Sequence, residues 1–121
     1  GNDTIFGGAG SDVMTGGSGA DIFKFNLTSD STLLARDVIK DFNAAEGDKI
    51  DLSGIDSNAK TTANEAFSLS TTGAFTKGCQ VVSVVEGDHF LVMGDVNGDR
   101  IADFAITVYS KTALTSANFI L

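Results

Sequence analysis

Asp3, Asp12 and Asp21 stand nine residues apart, and the last two close the same glycine-rich hexapeptide, Gly7-Gly8-Ala9-Gly10-Ser11-Asp12 and Gly16-Gly17-Ser18-Gly19-Ala20-Asp21. The sequence opens inside a third copy, because Gly1-Asn2-Asp3-Thr4-Ile5-Phe6 fits the last six places of the same nonapeptide. Each hexapeptide suits a tight turn, and each tripeptide after it (Thr4-Ile5-Phe6, Val13-Met14-Thr15, Ile22-Phe23-Lys24) suits a very short strand. Turn and strand therefore alternate at a fixed period, the pattern of stacked repeats. Ile5, Met14 and Phe23 recur at that period and point to one interior.

A loop written G-G-x-G-x-D has glycine where the backbone must approach something closely or take positive φ, and it ends on one carboxylate. Its carbonyls are free to turn inward. Calcium accepts six to eight oxygens at roughly 2.3 to 2.6 Å and takes neutral carbonyls beside carboxylates, whereas magnesium and zinc match such an oxygen-only cage poorly. Of the 16 acidic residues 13 are Asp, a bias towards the short carboxylate of turns and hard-cation sites. The net charge of −8 and pI near 4.3 repel nucleic acid and anionic membrane, which leaves cations as the natural partner. A phosphate-binding glycine loop would need a preceding strand, a following helix and usually a Lys, and here three residues lead into another loop. A flexible glycine linker would not need the fixed aspartate or the apolar residue two places later.

Seven of the 14 glycines lie in the first 19 residues, so composition changes near Asn26. From Leu27 onward the signals are those of a small β domain. Asp37 to Phe42 (DVIKDF) and Lys49 to Leu52 (KIDL) read as strands joined by the Glu46-Gly47-Asp48 turn. Thr62 to Phe67 reads as a short helix, with Glu65 at capping-box spacing from Thr62. Gln80 to Val85 and His89 to Met93 flank the turn Glu86-Gly87-Asp88. In Ile101 to Tyr109 the set Ala102, Phe104, Ile106, Val108 is expected to face the core, and the alternate set to face outward. At 121 residues one domain with a modest core is expected.

Residues 1 to 24 resemble the repeats-in-toxin (RTX) nonapeptide, and the remainder is similar to the C-terminal domain of the serralysin metalloproteases. The likeness rests on DIFKFN at Asp21 to Asn26, DVIKDF at Asp37 to Phe42, GDKIDLSGI at Gly47 to Ile55, GDVNGDRIADFAITV at Gly94 to Val108, and LTSANFIL at the end. It implies an all-β fold, a short parallel β-roll followed by a β-sandwich. The implied organisation is a roll at 1–26, continued upstream in the natural protein, and a sandwich at 27–121 that ends in an export signal, the two packed as one unit.

The resemblance also implies calcium held between loops one turn apart. The partial loop with Gly1 and Asp3 would face Gly16, Gly17, Ser18, Gly19 and Asp21. The loop Gly7, Gly8, Ala9, Gly10 and Asp12 would take Asp37 as its replacement partner, with Asp30 and Asp41 as weaker candidates. The expected role is a non-catalytic, monomeric module that folds on calcium outside a bacterial cell, without inserting in a membrane. It would support type I secretion of an upstream catalytic domain. A carbohydrate-binding accessory role is the alternative, although only Phe6 and Lys24 qualify as aromatic or basic residues of a binding face along the roll.

No enzyme centre is visible. The zinc signature H-E-x-x-H is absent, and His89 and Cys79, read as a surface histidine and a small buried hydrophobe, lack a third partner. Asp95 to Asp103 tempts an EF-hand reading, but Arg100 stands where that turn wants Gly and Ile106 where it needs a bidentate Glu. A β-turn between strands is expected there. The terminal Asn118-Phe119-Ile120-Leu121 is expected to matter for export more than for stability.

Overall fold

The computed structural model describes residues 1–26, 30–55, 67–70, 73–76 and 78–121. The chain is all-β, and the helix expected at 62–67 lies outside the described residues but for its last one, Phe67. Among the described residues ten strands are formed: β1 Thr4–Phe6, β2 Val13–Met14, β3 Ile22–Lys24, β4 Asp37–Phe42, β5 Lys49–Asp51, β6 Ser68–Leu69, β7 Gln80–Glu86, β8 His89–Gly94, β9 Phe104–Ser110 and β10 Phe119–Ile120. They make two sheets, ordered β1-β3-β5-β10 and β2-β4-β9-β8-β7-β6.

Successive strands β1 to β5 go alternately to the first and the second sheet, which is the winding of a roll. All pairs in the first sheet are parallel, with Ile5 beside Phe23, Phe23 beside Ile50, and Phe119 beside Ile50 on the far side. In the second sheet Met14 pairs with Ile39 and Ile39 with Val108. Both sheets continue across Asn26, where the composition changes: β4 and β5 follow the register that β2 and β3 set.

The reason is burial. Met14, Phe23, Ile39 and Ile50 are 4%, 0%, 0% and 0% exposed, and Ile5 packs against them from the open end. The Phe23 and Phe42 rings, one from each sheet, lie 6.3 Å apart between centroids. Each such side chain contributes roughly 1.5 to 3 kcal/mol when fully buried. The turns supply little core, so the strand residues must.

Two expectations need correction. The last arm begins at Phe104, not Ile101, and both of its faces are covered: Ala105 and Thr107 are buried, as are Phe104, Ile106 and Val108. β9 lies in the middle of the second sheet, between β4 and β8, and the segment around Ser31 bonds to its backbone, with Ala105 N–H donating to the Ser31 carbonyl at 3.1 Å. Cys79 is only half-buried, and it takes a left-handed backbone conformation, φ 61°.

The terminal tail is part of the fold. Phe119 is 7% exposed, Leu52 N–H donates to the Ile120 carbonyl at 2.8 Å, and Lys49 Nζ donates to the Ala117 carbonyl at 2.8 Å. The tail therefore bears on stability as well. The strand β10 closes the edge of the first sheet that the roll leaves open. Among the described residues no helix is long and apolar enough to cross a membrane.

Candidate metal centre

The loops between strands gather along two edges of the roll, and on each edge an aspartate grips the backbone of the one a turn before it. On one edge Asp12 N–H donates to Asp37 Oδ1 at 2.8 Å, and Val38 N–H donates to the Asp12 carbonyl at 2.8 Å. On the other, Asp3 N–H donates to Asp21 Oδ1 and Asp21 N–H to Asp48 Oδ1, both at 2.9 Å. Parallel pairing sets this ladder, because each aspartate immediately precedes its strand or, in Asp37, opens it.

The second carboxylate oxygens of three of these aspartates are left over. Asp12 Oδ2, Asp21 Oδ2 and Asp37 Oδ2 are buried and have no hydrogen-bond partner. Asp21 and Asp37 are 0% exposed. A buried anionic oxygen without a donor is costly unless a cation meets it.

Burial, followed by the charges of Asp12 and Asp30, pushes Asp37 up to about 6 against the pull of the Asp12 amide. Asp48 is raised as well, again by burial first, with Asp21 and Asp41 adding repulsion. The Asp37 backbone is fixed by Ser31, whose hydroxyl accepts from Asp37 N–H at 2.8 Å and donates to the Ala105 carbonyl.

The glycines do two different jobs. Gly7 has no side chain because a Cβ there would stand 2.7 Å from Asp37 Oδ2 and 3.4 Å from Asp12 Oδ2. Gly16 likewise lies against the Asp21 carboxylate. The second and fourth places of both loops need positive φ: Gly8 and Gly10 sit at 75° and 100°, Gly17 and Gly19 at 84° and 110°. Ala9 and Ser18 need no such freedom.

Sequence reasoning placed Asp37 beside the first complete loop, and the structure brings them together. It places the partial loop of Gly1 and Asp3 beside Gly16 to Asp21, although Asp3 engages through its amide while its residue is exposed. Asp30 accepts from Asn26 N–H at 3.1 Å and lies near enough to Asp37 to repel it. Asp41 does something else: its two oxygens accept from Gly16 N–H at 2.9 Å and Gly17 N–H at 2.8 Å.

Asp48 was missed, read only as part of a turn. The signal was present, since Asp48 falls three whole nonapeptide periods after Asp21 and Asn43 to Asp48 is a degenerate copy of the hexapeptide.

A third acidic group joins β8 to β9. Asp95, Asp99 and Asp103 can each bring one oxygen within 4.8 Å of the others, a geometry that could hold a metal ion. There, Arg100 takes φ 61°, so the missing glycine is no obstacle to the turn. Ile106, however, is fully buried in the core where a bidentate Glu would stand. The Asp95 oxygens accept from the amides of Asn97, Gly98 and Arg100, and Asp103 accepts from Val96 N–H and Asn97 Nδ2. This loop satisfies its own carboxylates.

Residues 2–121 match the family described as Peptidase M10 serralysin C terminal. The chain belongs to that family. As a serralysin C-terminal domain of the RTX type it is a non-catalytic accessory part, from a family of calcium-binding repeats. No curated protein matches the chain. Among solved structures it is similar to the AlgE6R2 subunit from the Azotobacter vinelandii mannuronan C5-epimerase, with a TM-score of 0.63 and 26% identity over 98% of this chain and 70% of that one. The sheets of this serralysin C-terminal domain match the β-roll of that neighbour.

Calcium fits what the loops offer: buried, unpartnered carboxylate oxygens, backbone carbonyls, room kept open by glycine, and no thiol or imidazole nearby.

Proposed function

We propose that this domain binds calcium at the two glycine-loop edges, folds on doing so outside the cell, and supports type I secretion of a catalytic domain on the same chain. The three unpartnered oxygens of Asp12, Asp21 and Asp37 carry this reading. Asp12 and Asp37, with carbonyls of the Gly7 to Gly10 loop, would hold one ion. Asp21, with carbonyls of the Gly16 to Gly19 loop and those of the loops beside it, would hold another.

Bound calcium supplies positive charge and oxygen coordination. The chain supplies the aspartate ladder, which holds the carboxylates one turn apart and leaves one buried oxygen each of Asp12, Asp21 and Asp37 without a donor. Ordering glycine-rich loops costs roughly 1 to 2 kcal/mol per residue, and the stacked aspartates repel. Binding to the folded form alone contributes RT ln(1 + [L]/Kd) per site, so folding follows the calcium concentration. Extracellular calcium modules have Kd values of roughly 10⁻⁴ to 10⁻³ M, well above cytosolic calcium. On this reading the chain leaves the cell unfolded, and residues 1–26 and 27–121 then close as one packed unit.

The test is hydrogen exchange and circular dichroism of the 121-residue chain with calcium and after calcium stripping, beside a titration of bound calcium. Calcium-dependent protection of residues 1–26 is expected. Equal protection with and without calcium overturns the reading. Fusion of the chain behind a passenger, with and without a type I exporter, tests secretion separately.

A glycan-binding role is the second reading, favoured by the likeness to a subunit of an epimerase that acts on mannuronan. A cleft of about 620 Å³ carries Lys40, Tyr109 and Lys111 beside Asp41, Glu46 and Asp88. Titration with mannuronan oligosaccharides distinguishes it from the first.

A further inference from the structure

We infer that Asp41 is a positioning residue for the second glycine loop: its carboxylate clamps the amides of Gly16 and Gly17 and so sets the loop's carbonyls for the ion, without itself touching the metal. This rests on the calcium reading above and goes beyond it.

The starting point is an irregularity in β4. Val38 and Ile39 pair with Thr107 and Val108, but Phe42 pairs with Ser110, so β4 spends one more residue than β9 over the same stretch. Strict alternation from Asp37 and Ile39 would put Asp41 on the core face. The extra residue turns Phe42 inward, where it is 3% exposed and meets Phe23, and leaves Asp41 facing the neighbouring loop. Gly16 follows β2 at the level where Asp41 follows Ile39 on β4, because β2 and β4 run parallel with Met14 beside Ile39.

Both Asp41 oxygens are then used. Oδ1 accepts from Gly16 N–H at 2.9 Å and Oδ2 from Gly17 N–H at 2.8 Å, two hydrogen bonds of the stronger, charge-assisted kind. By contrast, the side chains of Asp12, Asp21 and Asp37 each retain a buried free oxygen. In a trans peptide the C=O points opposite to the N–H. An amide held toward Asp41 therefore directs the carbonyls of Thr15 and Gly16 away from it. Gly17, at φ 84°, has a backbone free to rotate, so without the clamp nothing on this side fixes that direction. Asp41 stands to the Gly16 loop as an outer partner stands to a metal-ligating histidine: it orients the donors.

Loss of such a partner typically lowers metal affinity about 10- to 100-fold. Asp41→Asn keeps the size of the side chain but presents an NH₂ group to one of the two amides. The experiment is an NMR-monitored calcium titration of the wild-type 121-residue chain and of Asp41→Asn, read separately at the two loops. Weaker binding by about 10- to 100-fold at Gly16 to Asp21, with binding at Gly7 to Asp12 nearly unchanged, is expected. Equal weakening at both loops would mean a general loss of fold, and no weakening at either would mean an idle contact; each overturns the inference.

A second measurement needs no variant. On calcium addition to the wild type, the side-chain carboxyl carbons of Asp12, Asp21 and Asp37 should shift while that of Asp41 stays in place. A shift at Asp41 as large as theirs makes it a ligand, and the inference fails. Should the wild type bind no calcium at all, it is the proposed function that fails.

Discussion

Asp12 donates its backbone N–H to Asp37 Oδ1 at 2.8 Å, while the Oδ2 atoms of both residues remain buried without a partner. The contact keeps two like charges side by side, which in a metal-free protein is a penalty. Asp12→Ala removes one of the two oxygens and should cost one equivalent of bound calcium. At calcium 100-fold above Kd the lost contribution is about 2.7 kcal/mol. Calorimetric titration of variant and wild type checks it; an unchanged stoichiometry counts against the site.

Gly7→Ala tests the same place from the backbone side. Its Cβ would stand 2.7 Å from Asp37 Oδ2, in the space between the two carboxylates, and Gly7 needs no positive φ. The variant should therefore lose the Asp12–Asp37 ion as Asp12→Ala does while keeping both carboxylates. Calcium-stripped Gly7→Ala should melt within a few degrees of calcium-stripped wild type, measured by differential scanning calorimetry.

Stability without metal should depend on pH in an unusual direction. Asp37 rises from 3.8 to about 6 on folding, so the folded chain binds that proton more tightly than the unfolded one. The resulting stabilisation is complete below 3.8 and is lost as pH climbs through about 6. Asp48 acts in the same sense. Asp51 acts oppositely: burial raises it, but Ser53 and Lys24 outweigh burial, so its contribution is lost as pH falls. The calcium-stripped protein should melt higher near pH 4.5 than near pH 7, on the order of the shift Asp37 shows. Saturating calcium should reverse the order, since protons and calcium compete for Asp37. Melting curves at several pH values, with and without calcium, decide this.

The Asp95 to Asp103 loop should behave as a connection between β8 and β9. Its three carboxylates could surround a metal, yet loop amides and the Asn97 side chain already occupy the oxygens of Asp95 and Asp103, and no buried oxygen there lacks a partner. Asp99→Asn should leave the number of bound calcium ions unchanged, with stability within about 0.5 kcal/mol of wild type. One equivalent fewer in the titration would make this loop a metal site.

How much of this was legible in the sequence depends on how locally it was written. The glycine loops were readable because every feature sits inside nine residues: positive φ at Gly8 and Gly17, close approach at Gly7 and Gly16, an aspartate at the end. Asp37 was reachable by asking what the first loop would face. Asp48 was not recognised, because its loop keeps the period of the repeat but not its glycines. The part played by Asp41 depends on one extra residue in β4, a register event between strands far apart in sequence. The bonds between Ser31 and the Ala105 backbone likewise tie β9 to a segment more than seventy residues earlier. Pairing of that kind leaves no periodic trace.

The terminal tail gives the last test, because the structure assigns it a second duty beside any signal it carries. Phe119 pairs with Ile50 and is 7% exposed, so the same residues that would be read during export are built into the first sheet once the chain is folded. β5, on which the tail rests, is itself fixed at its start by the glycine-loop edge: Lys49 N–H donates to the Asp21 carbonyl at 2.9 Å, and Asp48 accepts from Asp21 N–H. Calcium at Asp21 should therefore tighten the tail, and its removal should release it. Phe119→Ala should cost about 3 to 5 kcal/mol in the calcium-loaded protein, the usual range for a buried Phe. Carboxypeptidase digestion follows the same link without a substitution. The tail should resist cleavage with calcium bound and be trimmed quickly after stripping, whereas equal rates in both conditions would separate the tail from the glycine-loop edge.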